Sequence, residues 1–291
     1  LYARALALVD SGAALVASTG NANDDVRVRN ALAILRGRIL VNQGNFSQAA
    51  TAVASVPTNF VWYQEHSLTT RSPGVWNLLN NQRRYILSDN EGPLMMNYVT
   101  ANDPRVPACR VGQTACTQNG LTVRRPFDSG NTAVPDMAYQ LVWTSQSADV
   151  ALVSGLQARL IEAEAANRAG NFAESLRILN ALRAAPPNYG RNINPLPALT
   201  DPGSAAGRRD LIFRERGFWQ FGLGQRYPDL RRLVRQYGMP QDQVFPSGAW
   251  QINRTPGYGR DVVFPTPQGE AFNPQQPLDV DGSPACIDRN A

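Results

Sequence analysis

Two stretches of the chain repeat one pattern: "LRGRILVNQGNFSQAATAVASV" at 35–56 and "LIEAEAANRAGNFAESLRILNAL" at 160–182. Each runs through helix-compatible residues to Gly-Asn-Phe and then resumes with small and apolar residues. Gly44 and Gly170 suit the left-handed conformation that closes a helix, and the asparagine that follows suits the cap of the next one. Phe46 or Phe172 then folds back to staple the two helices together. Such a hairpin cannot hide its apolar faces alone, so it must stack on another hairpin or on neighbouring helices. The two copies lie much farther apart than the roughly 34 residues of a tandem array.

The pattern therefore predicts a mainly α protein with a tetratricopeptide-like α-superhelical core, in which 30–43 and 156–168 are the first helices of two hairpins. A single domain over 1–291 divides into a first hairpin region (1–56), a long loop-rich insertion (57–149), a second hairpin with a motif-bearing helix (150–237) and an irregular Pro/Gly-rich C-terminal wrap (238–291). The insertion is rich in Gly, Pro, Asn, Thr and aromatics with short β-prone runs such as "FVWY", and the last segment carries eight prolines, too many for a long helix. The opening residues predict an amphipathic helix with Leu6, Leu8, Ala13, Leu15 and Val16 as its apolar positions.

Composition narrows the partners. At 291 residues, 43% hydrophobic and 18% charged, the chain is neither disordered nor built to span a bilayer. All 28 basic residues are arginine, yet they are interleaved with acids, so the net charge of +5 does not mark a nucleic-acid surface. Cys109 and Cys116 flank a short polar stretch that an oxidising compartment would close as a disulfide loop, with Cys286 left over. Neither their spacing nor the one histidine, His66, suits a metal, and no cofactor is expected. The sequence assembles no catalytic constellation: Glu162 and Glu164 are two apart on a helix and face apart, His66 has no serine elbow, and "GFWQFGLG" is not a phosphate loop.

Four features then accumulate in order: the first hairpin, "ANDPRVP" at 101–107, the second hairpin, and "RERGFWQFGLGQRYPDLRRL" at 214–233, with "FPTPQGEAFNP" at 264–274 near the end. Together they resemble the RagB/SusD family of outer-membrane nutrient-binding lipoproteins. Glu215, Arg216, Gly224, Arg226, Asp229, Leu230 and Arg231 match the family's motif helix, while Trp219 and Leu223 replace acidic positions. The resemblance implies a non-enzymatic protein at the cell outer membrane, exposed at the surface. Its partners would be an oligosaccharide or other nutrient polymer and a SusC-like TonB-dependent transporter β-barrel, over which it acts as a lid. A signal peptide and lipidated cysteine are expected ahead of this chain, the lipid being its only tie to the membrane. On the motif helix, Leu211, Glu215 and Phe218 share one side with Ile212 and Trp219 adjacent, and Arg209, Arg216 and Gln220 lie elsewhere. The arginines are expected to pair with acids and hold the second hairpin to this helix.

Sugar rings pack their C–H faces on aromatic planes and offer hydroxyls to amides and guanidiniums. The densest cluster of that kind is Trp62, Tyr63, Trp76, Asn77, Arg84 and Tyr85, expected to bind the ligand, with Trp143, Trp250 and Tyr258 as further possibilities. The alternative is a tetratricopeptide-type interaction scaffold whose concave face, lined by Asn, Arg and small residues, holds a peptide.

Overall fold

The computed structural model describes residues 2–16, 22–82, 87, 89, 96–110, 115–118, 121–124 and 138–247, and the fold over them is mainly α. Helix α1 (Tyr2–Leu15) is followed by α2 (Ala22–Asn42) and α3 (Phe46–Val53), then strand β1 (Val61–Gln64), one α turn α4 (Gly74–Trp76) and a π-helical turn, Asn77–Asn81. Strands β2 (Ala108–Arg110), β3 (Ala115–Gln118), β4 (Leu121–Arg124), β5 (Ala138–Gln140) and β6 (Val150–Ser154) come next. Helices α5 (Gly155–Arg168), α6 (Phe172–Ala184), α7 (Ala205–Trp219), α8 (Arg226–Arg235) and α9 (Gln241–Val244) follow. The chain clusters into two compact units, one of Leu1–Asp89 with Met96–Pro228, the other of Asn90–Met95 with Asp229–Ala291.

Both Gly-Asn-Phe segments join helices as expected. Gly44 and Gly170 have φ of +82° and +80°, a backbone that favours glycine. Asn171 accepts a hydrogen bond from the Glu174 N–H at 3.2 Å and caps α6, whereas the Asn45 side chain makes no such bond to α3. Helix α2 starts eight residues earlier than its apolar pattern indicates, with Asp24 and Asp25 in a first turn where the helix dipole favours acids.

The hairpins meet through α3 and α5. Ile34, Leu40, Val41, Phe46, Ala49 and Val53 of the first pack with Ala158, Ile161 and Ala165 of α5 in one buried cluster. The opposite side of α5, with Leu156, Leu160 and Ala163, joins Phe172, Leu179, Leu182, Ile212 and Trp219 in a second. Helix α1 behaves otherwise than its apolar pattern suggests: Leu6 touches the first cluster and Val16 is buried, but Leu8 and Leu15 are 65% and 68% exposed.

The strands form three separate antiparallel pairs, β1 with β6, β2 with β5 and β3 with β4. Cys109 and Cys116 are joined in a disulfide with Cα atoms 5.6 Å apart, linking the β2–β5 pair to the β3–β4 pair. Cys286 lies outside the described residues.

The C-terminal half of helix α7 is buried on more than one side, Arg214 being its exposed position. Beyond the expected Ile212, Glu215, Phe218 and Trp219, both Arg216 and Gln220 are buried too, a departure from the one-sided helix that the pattern suggests. The reason is polar packing on a second side: Arg216 faces the buried Glu164 carboxylate of α5 at 3.6 Å. On the first side, Glu215 accepts from four donors. Arg105 gives it two hydrogen bonds at 2.7 and 3.1 Å, Arg183 of α6 one at 2.8 Å, and the Trp219 indole one at 3.1 Å. Arg105 also bonds Asp103, and its guanidinium lies about 5 Å from the centres of the Phe218 and Trp219 rings. Arg191 extends the assembly by donating to the carbonyls of Arg105 and Phe221, its guanidinium against the Trp143 and Tyr189 rings.

Burial pushes the Asp103 carboxyl up, but Arg105 outweighs it through hydrogen bonds and charge and holds the group below the ordinary 3.8. Because the folded pKa is depressed, this stabilisation is present above the ordinary value and is lost as pH falls through the folded one. Stability in urea is expected to decline as pH drops below about 4, and Asp103→Asn to flatten that decline. Glu215→Gln, which removes the charge facing the buried Arg105 and the partly buried Arg183 guanidiniums, should cost about 3 to 5 kcal/mol in the same measurement at neutral pH.

One glycine admits no side chain. A Cβ on Gly155 would stand 1.9 Å from the Pro57 carbonyl oxygen, a backbone atom that cannot swing away. Gly155→Ala is therefore expected to destabilise by about 3 kcal/mol or more, read as a lowered urea midpoint with an unchanged slope.

Candidate functional site

Strand alternation decides the fate of the first two predicted site residues. Consecutive side chains on a strand point to opposite faces. Trp62, paired with Val153, packs on the first buried cluster, while Tyr63, paired with Ala151, packs on the second. The two rings thus cannot line one platform. The Arg27 guanidinium of α2 lies 5.1 Å from the centre of the Trp62 ring, and the Tyr63 ring lies 3.5 Å from where a Cβ on Gly190 would stand. Burial, followed by the charge of Asp149, pushes the Tyr63 hydroxyl up. A bulge between Trp62 and Tyr63 leaves Leu152 of β6 outside the register, 45% exposed, with its carbonyl accepting from Arg38 at 2.7 Å.

Trp76 and Asn77 sit elsewhere, at the junction of α4 and the π-helical turn. Trp76 is half-buried and belongs to none of the three buried apolar clusters formed by the described residues. Asn81 donates to the Asn77 side-chain oxygen at 2.9 Å, and the Gln82 N–H closes the wide turn on the Asn77 carbonyl at 2.7 Å. Such turns are rare and recur at functional sites. The run "WNLLNN" gives it no signature that helix periodicity could detect. Arg84, Tyr85, Trp250 and Tyr258 lie outside the described residues. Trp143 is buried, stacked on Phe221 with ring centres 6.2 Å apart.

The His66 ring nitrogen Nδ1 meets the Arg71 carbonyl at 2.9 Å, and Asp149 accepts from the His66 backbone rather than from its ring, so no relay runs from acid through imidazole to a serine. Glu164 is buried against Arg216, and Glu162 pairs with Arg159 at 3.0 Å. Among the described residues, no three of His, Cys, Asp or Glu gather as metal ligands, and no helix is long and apolar enough to cross a membrane.

A groove with little aromatic lining runs between the hairpins. Its wide arm, about 880 Å³, is lined by Asn45, Ser47, Gln48 and Thr51 on the α3 side, by Ala165, Ala166 and Glu162 of α5, and by Glu174 of α6. Its smaller, narrow arm is an adjoining pocket of about 480 Å³ that shares Glu162 and Ile178 with the first and is lined by Arg159, Arg177, Ala181 and Asn59. Glu162 lines both arms. Burial pushes its carboxyl up against the pull of Arg159, and the nearby Glu174 pushes it up further. Sequence spacing could have flagged this surface only as the small-residue side of two hairpins.

The chain matches no family model, no curated protein and no solved structure.

Trp62 and Tyr63 each pin the β1–β6 pair to a different apolar cluster. Trp62→Ala and Tyr63→Ala should therefore each lower the melting temperature by several degrees, corresponding to about 2 kcal/mol, in a differential scanning calorimetry comparison with the parent chain.

Proposed function

We propose that the chain is a nutrient-binding protein of the RagB/SusD kind, a tetratricopeptide-like helical core whose loop-rich segment captures an oligosaccharide or similar polymer fragment. In this reading it works without bond chemistry or cofactor. At the outer membrane it serves as lid and capture component for a TonB-dependent β-barrel transporter, with capture at the surface followed by delivery into the channel.

The observation that carries the proposal is the joining of two motifs that the resemblance rests on. "ANDPRVP" and "RERGFW" lie far apart in the chain, yet Arg105 of one and Glu215 of the other form a buried bidentate pair at 2.7 and 3.1 Å. That supports assigning the motifs to the scaffold and leaves ligand capture to residues the scaffold does not use. Of the six predicted binding residues, Trp76 and Asn77 best answer that description, since Trp62 and Tyr63 are committed to packing.

A glycan array on the purified chain identifies the ligand, and calorimetry then measures the variants. Trp76→Ala is expected to weaken binding roughly tenfold to a hundredfold, the loss typical of removing an aromatic stacking face, with little change in melting temperature. Asn77→Ala should weaken it less. An array with no glycan bound, or Trp76→Ala with unchanged affinity, would reject this assignment.

A second reading has its own observation. The groove between the hairpins is lined by asparagines, arginines and small residues, the surface expected of a scaffold that holds a peptide.

A further inference from the structure

The groove between the hairpins has a polarity along its length. Its wide arm contains the carboxylates of Glu162 and Glu174 with one guanidinium, Arg168; its narrow arm contains the guanidiniums of Arg159 and Arg177 with one carboxylate, the shared Glu162. The polarity is built by two ion pairs, Arg159–Glu162 at 3.0 Å on α5 and Arg177–Glu174 at 2.6 Å on α6, each with its arginine lining the narrow arm and Glu174 lining only the wide one. Both pairs are partly exposed to solvent, where such contacts are weak enough to admit further partners.

The lining discriminates among ligand classes. The one aromatic in it, Phe46, is buried and carries the Arg168 guanidinium 4.9 Å from its ring centre, so no open ring face is offered to a sugar. Two carboxylates in the wide arm repel a phosphate backbone. What remains suits a polypeptide: a floor of Ala165, Ala166 and Ala181 that lets a backbone approach closely, and side-chain amides and hydroxyls at Asn45, Gln48, Thr51 and Asn59 that can bond its peptide groups. From Arg159 to Ala169 the floor helix rises about 15 Å, room for roughly five residues of extended chain.

Resting on the scaffold reading, we propose that this groove docks an extended peptide segment of a partner protein, with a basic side chain in the wide arm and an acidic one in the narrow arm. Two residues is the spacing that puts both on one side of an extended strand. Docking would turn the two ion pairs into an alternating row of charges across the groove.

The test is fluorescence anisotropy of the whole chain with three labelled heptapeptides, capped at both ends: one centred on Lys-Ser-Glu, one on Gln-Ser-Gln and one on Glu-Ser-Glu. The Lys-Ser-Glu probe should bind most tightly. The double variant Glu174→Arg/Arg177→Glu keeps an ion pair on α6 but reverses its direction, and is expected to weaken that probe about tenfold while leaving the melting temperature unchanged. Ala166→Trp fills the groove and should abolish binding; Thr51→Arg, at an exposed position on the opposite wall, gives the same block if the tryptophan disturbs folding. Equal affinity for the lysine and glutamine probes, undiminished in the double variant yet lost on blocking, would overturn the charge pattern and leave the scaffold reading standing. If no probe binds the parent chain at about 1 mM, both fail.

Discussion

Glu215 and Arg105 are each almost wholly buried, and neither could be so without the other. An ionised carboxylate stripped of water is expensive, and it is tolerated here because its two oxygens accept four donors, the number of lone pairs they have to offer. Those donors come from the loop before β2, from α6 and from α7 itself, so the carboxylate fixes three parts of the first unit at one point. A lysine could not replace Arg105, because one guanidinium must bond Glu215 through two nitrogens, bond Asp103 through its Nε and Nη2, and lie over the Phe218 and Trp219 rings. The chain's exclusive use of arginine reads as composition in the sequence, but at this site it is a geometric requirement.

The helical frame was legible in the sequence because its signals are local. A left-handed glycine, a following asparagine and an apolar staple occupy adjacent positions, so the hairpins at Gly44 and Gly170 could be placed to within a residue or two at their turns. The start of α2 was not, since Asp24, Asp25 and Arg27 carry no apolar period. The burial of Arg216 and Gln220 was also hidden, because a helix covered on two sides has no single apolar stripe to show. The burial of Arg216 is explained by Glu164, which lies far away in sequence.

The candidate site was less legible, and the reason is visible in "VWYQ". Composition counts two aromatics in a row as a dense cluster, but a strand sends them to opposite faces, so density along the chain becomes separation in space. Trp76 and Asn77 escape that fate because they stand in a helical turn, and the π-helical geometry around them depends on backbone details that residue type does not encode. The groove between the hairpins arises from the spacing of three helices. No short segment of sequence contains it.

The crossing at Gly155 has a consequence for how this architecture can change. The Gly155 N–H donates to the Phe60 carbonyl at 2.8 Å, and β1 pairs with β6 directly above it, so the chain departs from the helices and rejoins them through one gate. The described residues between 61 and 154 leave and rejoin the helices there, and Arg105 ties them a second time, to Glu215 of α7. The entropy of closing such a segment grows only logarithmically with its length, about 0.6 kcal/mol per doubling. Descendants of this chain can therefore lengthen or trim loops within this segment, and with them whatever they recognise, while the two hairpins stay in register, provided Gly155 and the Asp103–Arg105–Glu215 contacts are kept.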